Sequence, residues 1–207
     1  HHDFADGGLQ LPEVILRACM AYFNAANIST VAYSFLSIGA TNLLRAFASP
    51  PLLERFLAPM LDGRFSGTMA LTEPGQGSAL GDLRTLARPA ENGTYRIFGQ
   101  KMFISGGDHE LTENIVHMVL ARNEGAPAGT KGISLFLVPK FLVNADGSVG
   151  ARNDVALAGL LHKMGYRNTT STVLSFGEHD GAVGYLVGEE HQGLSYMFHM
   201  MHEAAIG

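Results

Sequence analysis

The sequence predicts an α+β fold in which helices flank an antiparallel β-barrel or β-sandwich. Apolar residues recur at helical spacing in the first third of the chain and again from Gly193. The segment between them consists of short apolar runs separated by turn residues. These changes of period predict the end of an N-terminal helical domain over 1–65, a middle β-domain over 66–188, and the start of a C-terminal helical bundle over 189–207.

The first part of the chain predicts three helices, over 11–26, 33–48 and 52–61. Each segment repeats apolar side chains every three or four residues, which is typical of a helix with one buried face. Pro50 and Pro51 separate the second helix from the third, because a proline inside a helix removes a backbone hydrogen bond.

The middle part predicts at least six short strands. Two of them are joined by Asn92-Gly93, a dipeptide that favours a tight hairpin turn. Short strands that follow one another with turns between them are typical of an antiparallel barrel or sandwich. The predicted strands cover 66–72, 84–89, 95–98, 101–105, 115–122, 132–138, 173–176 and 183–187.

The composition excludes some classes of function. The chain has 207 residues, of which 46% are hydrophobic, and 14 basic against 19 acidic residues give a formal charge of −5. Phosphate contacts need clustered Lys and Arg, so we expect no nucleic-acid partner. We also expect no membrane span, since no apolar run reaches the ~18 residues that a span requires.

A polar loop with glycines, ALTEPGQGSALGDL over 70–83, follows the first predicted strand. Thr72 and Ser78 offer hydroxyl groups, and Gly77 permits close approach to a ligand. The loop lacks the G-x-x-x-x-G-K-[ST] pattern of phosphate-binding loops. On residue types alone, a binding loop and a simple capped turn are both open.

A second candidate segment, GQKMFISGG over 99–107, ends a predicted strand. Phe103 and Ser105 place an aromatic ring beside a hydroxyl, a combination that suits one wall of a flat heterocycle. A core phenylalanine followed by a turn serine is the alternative.

Taken together, these two segments resemble the acyl-CoA dehydrogenase family of flavoproteins. The loop has the form T-E-P-x-x-G-S, and the later segment has the form G-x-K-x-[FW]-I-[ST]. Three further stretches resemble the same family: KGISLFLVPK over 131–140, HKMGYRNTTSTVLSFGE over 162–178, and VGEEHQGLSYMFHMMHEAAIG over 187–207. The resemblance covers nearly the whole chain and is most specific in the middle β-domain.

The resemblance implies an activity. Members of this family bind FAD non-covalently at the β-domain, and a carboxylate removes the α-proton of an acyl-CoA. A hydride leaves the β-carbon for flavin N5, and an electron-transfer flavoprotein accepts the electrons. The same resemblance implies a homo-oligomer, either a dimer or a tetramer. It also implies a location in the cytoplasm of a bacterium or in the mitochondrial matrix of a eukaryote.

The resemblance also implies site residues. Thr72 is expected to bond the pyrimidine edge of the flavin, Phe103 to stand where tryptophan is usual, and Ser105 to replace a threonine that faces N5. Ser78 and His202 are expected to contact substrate. The predicted cofactor contacts are Met69, Leu71, Thr72, Gly77, Ser78, Phe103, Ile104 and Ser105.

Two positions depart from the family pattern. Many relatives have aspartate where Ala79 stands, and an arginine is common where Ala205 stands. Two alternatives stay open: an acyl-CoA oxidase or flavin monooxygenase, which shares the fold, and a relative that binds flavin or acyl-CoA without turnover, which Ala79 and Ala205 favour.

No catalytic base is assigned within this sequence. The family carboxylate usually lies in the C-terminal helical domain, so we expect it beyond Gly207 and expect this chain alone to be inactive. Glu73 is interpreted as structural. His199, His202 and Glu203 form H-x-x-H-E, but no third well-placed ligand is evident, so we expect no metal site.

Overall fold

The computed structural model describes residues 2–206, and for 203–206 it describes the backbone only. Within these residues, the three α-helices are α1 (Glu13–Phe47), α2 (Pro50–Leu61) and α3 (Gly193–Ile206). The ten strands of the same range are β1 (Phe65–Ala70), β2 (Leu86–Pro89), β3 (Tyr95–Ser105), β4 (Asn114–Asn123), β5 (Ile133–Pro139), β6 (Phe141–Val143), β7 (Val149–Arg152), β8 (Val155–Leu160), β9 (Ser171–Phe176) and β10 (Ala182–Leu186). This arrangement confirms the predicted α+β class.

Helix α1 contains both of the first two predicted helices, which meet at a kink. Asn27 has non-helical torsions, φ −161° and ψ 91°, and its Oδ1 accepts a hydrogen bond of 3.1 Å from Thr30 N. Asn27 thus caps the second half of α1. That half is buried at Leu43 and Leu44, whereas the first half exposes large apolar side chains such as Phe23.

Helix α2 begins at Pro50, where a missing N–H costs nothing because the first helical donors have no partner inside the helix. It buries Phe56 and Met60. It ends at Leu61, and Gly63 then turns the chain with φ +75°. Among the described residues, none of the helices combines the length and apolar character needed to cross a bilayer.

Five strands close into a barrel. β4 pairs with β5, β5 with β10, β10 with β3, β3 with β2, and β2 returns to β4. β1 extends this ring beside β4, and β9 followed by β8 extends it beside β3. Asn92 and Gly93 form the predicted turn between β2 and β3, both with positive φ.

Strand pairing differs from the sequence-based expectation in three ways. First, β1 and β2 each pair with β4 in parallel. In the chain, β3 lies between β2 and β4 and runs antiparallel to β2. The segments 95–98 and 101–105 are one strand, β3, since Gly99 adopts φ +146° and continues the pairing. β6, β7 and β8 were not predicted. The domain limits at 65 and 188 stay predictions.

The two faces of β4 contact separate hydrophobic clusters. Met118 and Leu120 pack with Leu43 and Phe56 between the helices and the sheet. The alternate residues, such as Val119, pack with the side chains that fill the barrel, because successive side chains of a strand point to opposite faces. The barrel is therefore a packed core, and ligands must bind at its rim or outer surface.

Candidate functional site

The loop after β1 is organised by a tight turn. Glu73 N donates to Gln76 O at 2.9 Å, and Gln76 N donates to Glu73 O at 3.0 Å. Pro74 and Gly75 lie between them, and Gly75 has φ +80°, which fits a type II turn. The turn leaves Gly77 exposed, with no other atom within 4 Å of where its Cβ would be. A ligand can therefore approach the backbone there.

The remaining loop residues differ in exposure. Met69 and Leu71 are half-buried and pack against the cluster between helices and sheet. Thr72 is also half-buried, while Ser78 is exposed at the far end of the loop. Ala79, the first departure from the family pattern, is exposed beside it. The loop thus runs from the core at Leu71 outward to Ser78.

Strand β3 contains a β-bulge at the second candidate segment. Its register with β9 shifts between Lys101 and Ile104, and Phe103 inside the bulge has φ +59°. A left-handed conformation is unfavourable for a bulky residue, so the surrounding contacts must impose it. The Phe103 side chain is 61% exposed. The core alternative for Phe103 is therefore wrong, and its role as one wall of a ligand site stays a prediction.

The bulge and the loop are joined directly. Met102 N donates to Thr72 O at 2.9 Å, which places Thr72 beside Phe103 although they are distant in sequence. Half-buried Ser105 follows on β3. In the part of the chain that the structure describes, neither the Thr72 nor the Ser105 hydroxyl has a hydrogen-bond partner. Both are available to a ligand.

Ile104 lies apart from this group. Its side chain is in the barrel core, and its carbonyl oxygen accepts a hydrogen bond of 2.9 Å from Thr172 Oγ1. Of the predicted β3 contacts, Phe103 and Ser105 thus lie outside the core, and Ile104 lies inside it. The predicted cofactor contact of Ile104 stays a prediction, and its buried side chain contrasts with the outward-facing ring of Phe103.

A buried ion pair lies beneath the loop and the bulge. Lys101 Nζ donates to Glu73 Oε1 at 2.9 Å and to Leu71 O at 3.1 Å. Glu73 Oε1 also accepts from Thr85 N at 2.9 Å and Thr85 Oγ1 at 2.5 Å, and its Oε2 accepts from Arg84 N at 2.8 Å. The sequence-based interpretation of Glu73 as structural agrees with these contacts.

The charges of this pair follow from its surroundings. Burial lowers the pKa of Lys101 to about 8, against the opposing effect of Glu73. Burial raises the pKa of Glu73, but Lys101 and the hydrogen bonds from Thr85 and Arg84 outweigh it, so the pKa is lowered overall. Both groups are therefore charged at neutral pH. The sequence signal for this pair was Lys101, a charged residue that directly precedes the apolar residues Met102 and Phe103 in β3.

Helix α1 contributes Tyr33, which sequence reasoning missed. Its hydroxyl accepts a hydrogen bond from Thr170 N at 3.1 Å and donates to Asn168 O at 3.2 Å. A Cβ on Gly106 would lie 3.1 Å from the Tyr33 ring, so glycine is required where β3 passes the helix. Tyr33 thereby fixes the end of β3 just after Ser105.

His202 is located elsewhere. It is exposed on α3 and stacks on Phe198 with ring centroids 6.1 Å apart. It lines a surface cavity with Phe47, Ser195, Phe198 and His199, and none of the loop or β3 residues lines that cavity. The structure does not join His202 to the other predicted site residues, so its substrate role stays a prediction.

The H-x-x-H-E sequence, at which no metal site is expected, and the second departure from the family pattern, Ala205, fall at the end of α3. The side chains of Glu203 and Ala205 lie outside the described residues. Within the described part of the chain, no group of three or more His, Cys, Asp or Glu side chains is arranged to hold a metal ion.

The arrangement at the barrel rim suits a planar ligand with polar edges. Phe103 offers an exposed aromatic face, the hydroxyls of Thr72 and Ser105 offer donors and acceptors, and Gly77 leaves space beside the backbone. These groups are suited to binding and orienting a ligand. None of these groups is a carboxylate. The nearby carboxylate of Glu73 is engaged in hydrogen bonds with Arg84, Thr85 and Lys101, so it is not placed to remove a proton.

Comparison with known proteins gives close relatives for nearly all of the chain. A 3-methylmercaptopropionyl-CoA dehydrogenase of Ruegeria pomeroyi is 44% identical over 203 residues, which are 98% of this chain and 34% of that protein. A butyryl-CoA dehydrogenase of Syntrophomonas wolfei is 45% identical over 186 residues, which are 87% of this chain and 30% of that protein. The chain spans about a third of the length of these relatives.

A solved structure and a family model agree with these relatives. The crystal structure of a probable acyl-CoA dehydrogenase from Mycobacterium abscessus matches with a TM-score of 0.61 and 28% identity, covering 78% of this chain and 39% of that one. Residues 68–179, more than half of the chain, match the model of the acyl-CoA dehydrogenase middle domain. The loop after β1 and the bulge of β3 both lie in that range, and the chain belongs to the acyl-CoA dehydrogenase family.

Proposed function

We propose that this chain forms the FAD-binding part of an enzyme that oxidises an acyl-CoA thioester between its α- and β-carbons. The observation that carries the proposal is the junction of the loop and the bulge, where Met102 N bonds Thr72 O and Phe103 faces outward in a left-handed conformation. Strained, exposed aromatic residues are characteristic of functional sites.

The residues at this junction fit a flavin. Phe103 would pack against the flat ring, and the hydroxyls of Thr72 and Ser105 would bond its polar edges. Gly77 and Ser78 would approach the bound substrate or cofactor where the loop is open. FAD, when bound, would supply the acceptor for the hydride that leaves the β-carbon.

The acyl-CoA would be held with its α-proton facing a carboxylate that we assign to no residue of this sequence. Such a base must reach the α-carbon from the side opposite the ring, within hydrogen-bond distance of its proton. Donors fixed before the reaction would stabilise the developing enolate charge. The relatives named for 3-methylmercaptopropionyl-CoA and butyryl-CoA make short acyl thioesters the first substrates to test.

Electron-transfer flavoprotein is the proposed electron acceptor. A dimer or tetramer of the full-length protein is the proposed assembly, in the bacterial cytoplasm or the mitochondrial matrix. These three proposals rest on the family resemblance alone.

The test uses the full-length protein, purified and scanned for the absorption of oxidised flavin. Anaerobic addition of butyryl-CoA or 3-methylmercaptopropionyl-CoA is expected to bleach this absorption. Reoxidation by electron-transfer flavoprotein rather than by oxygen supports a dehydrogenase, and fast reoxidation by oxygen supports an oxidase. Bound flavin that no acyl-CoA bleaches would identify a binding protein without turnover, and absence of flavin would overturn the proposal.

A further inference from the structure

The pair Glu73–Lys101 differs from the exposed ion pairs of the β-domain. Both of its side chains are at most 5% exposed, whereas both members of Arg64–Glu113 and of Arg88–Glu124 are about half exposed. Removing two charges from water is expensive, and well-packed apolar residues often replace a buried pair without loss of stability. Stability alone therefore does not account for this pair.

The pair connects three segments that are separate in sequence. Glu73 belongs to the loop after β1 and accepts hydrogen bonds from the residues that lead into β2. Lys101 belongs to β3 and reaches back to the carbonyl oxygen of Leu71. The backbone bond from Met102 to Thr72 adds one further link between the loop and β3. The side chains of Glu73 and Lys101 therefore link the loop after β1 both to β3 and to the residues that lead into β2.

The pair is adjacent to the residues that face the proposed ligand. Glu73 directly follows Thr72, and Lys101 stands two residues before Phe103. The register shift in β3 begins at Lys101 itself. A left-handed Phe persists only where neighbouring contacts impose it. The anchored Lys101 and the Met102–Thr72 bond are such contacts, and both lie just before Phe103 in the chain.

We propose that Glu73 and Lys101 are positioning residues that hold the loop after β1 against the β3 bulge and thereby preform the surface to which FAD binds. This inference rests on the proposed function, because it names FAD as the ligand of that surface. It predicts that loss of the pair weakens FAD binding more than it weakens the fold.

The test compares the full-length apo-protein with its Glu73→Gln/Lys101→Met variant. The glutamine side chain keeps an acceptor for Thr85 and nearly the same volume, and the methionine side chain keeps most of the length of the lysine stem. Without two buried charges, the apo-variant should unfold within ~5 °C of the wild type. Its dissociation constant for FAD should rise roughly tenfold, because the binding surface is no longer preformed.

Hydrogen exchange of the apo-protein provides a readout that needs no flavin. The amides of Met102 and Gln76 should exchange faster in the variant, and amides in the middle of β4 should exchange at the wild-type rate. The matched control is Arg88→Met/Glu124→Leu, which removes an exposed pair between β2 and β4 and should leave FAD binding and exchange unchanged.

The outcomes separate this inference from the proposed function. Wild-type apo-protein that binds no FAD overturns both. Wild type that binds FAD, with a double variant of equal affinity and unchanged Met102 exchange, overturns the positioning role alone. If the double variant does not fold, the Glu73→Asp variant replaces it in the test. Aspartate keeps the charge but is one methylene too short to bridge Lys101 and Thr85. Weaker FAD binding by this variant supports the positioning role, and wild-type affinity contradicts it.

Discussion

Lys101 and His117 are both fully buried, yet only one of them keeps its charge. Lys101 has a carboxylate and a carbonyl oxygen as partners and lies beneath the candidate site. His117 lies against the barrel core, where burial lowers its pKa to about 3, so it is neutral at pH 7. Its Nδ1 is 2.9 Å from Thr68 Oγ1, and its Nε2 is buried without a partner among the described residues. The charged Lys101 thus links the loop after β1 to β3, whereas the neutral His117 contacts Thr68 between two paired strands.

The largest expected effect comes from removing one member of the charged pair. Glu73→Leu leaves Lys101 buried without its counter-charge and should lower the free energy of unfolding by about 3–5 kcal/mol at pH 7. The folded-state pKa of Lys101 lies below its unfolded value of 10.5, so the unfolded state binds more protons above pH 8 and stability rises with pH there. Because Glu73 raises the pKa of Lys101, that pKa lies lower still in Glu73→Leu, and the variant gains stability with pH over a wider range than the wild type. The deficit of Glu73→Leu should therefore be smaller at about pH 9.5 than at pH 7, as urea unfolding at both pH values will measure. An equal deficit at both would mean that Lys101 is not the cause.

The second effect tests the neutral histidine. The folded-state pKa of His117 is below its unfolded value of 6.5, so the unfolded state binds more protons between about pH 6.5 and 3, and stability falls as pH falls. This group should cost about 2 kcal/mol between pH 7 and pH 5, at about 1.36 kcal/mol per pKa unit. Unfolding of His117→Leu should show a correspondingly flatter pH dependence. Thr68→Val, which keeps the histidine, is the control and should retain the wild-type slope.

The third effect concerns the strained residue that the charged pair supports. Phe103→Gly relieves a left-handed conformation and should raise the unfolding free energy of the apo-protein by up to about 1 kcal/mol, after the entropy cost of glycine. The same change removes an exposed aromatic face, so FAD binding should weaken. Thermal unfolding and FAD titration of one preparation measure both. Phe103→Ala, which loses the ring but keeps the strain, should weaken binding without the gain in stability.

The smallest effect is expected at an exposed pair. Arg88 and Glu124 are each about half exposed and 3.1 Å apart, and such pairs contribute about 0.2–1 kcal/mol. Arg88→Met should change the free energy of unfolding by no more than that, and less at high salt. A loss comparable to that of Glu73→Leu would show that burial does not distinguish the two pairs.

The two segments that local sequence signals singled out do meet in the structure, and their role as a site stays a prediction. Thr72 and Phe103 were placed at strand ends because glycine and proline mark turns, and the motifs at 72–78 and 99–105 are specific to one family. The bulge at Phe103 was not predictable, since one extra residue in a strand leaves no pattern of its own. The partner of Lys101 was missed because the contact depends on the packing of β3 against the loop.

The prediction of the strands from the sequence succeeded and failed for similar reasons. The long apolar strands β4 and β5 were predicted almost to the residue, because burial on both faces requires continuous apolar runs. Strands β7 and β8 are short and half-exposed, with glycine, alanine and arginine, so their sequences resemble loops. The parallel pairing of β1 with β4 was also not predictable from the sequence, since it depends on where the β2–β3 hairpin lies in the closed barrel.

The parallel pairing of β1 with β4 bears on the order of folding. Thr68 and His117 face each other across this pair at a separation of 49 residues, and β2 and β3 lie between them in the chain. Closing so long a loop costs more entropy than closing a hairpin, so we expect the β2–β3 and β4–β5 pairs to form before β1 docks. Since β1 pairs with β4 and Thr72 follows β1, we expect the loop after β1 to settle beside β3 only after β4 has been synthesised.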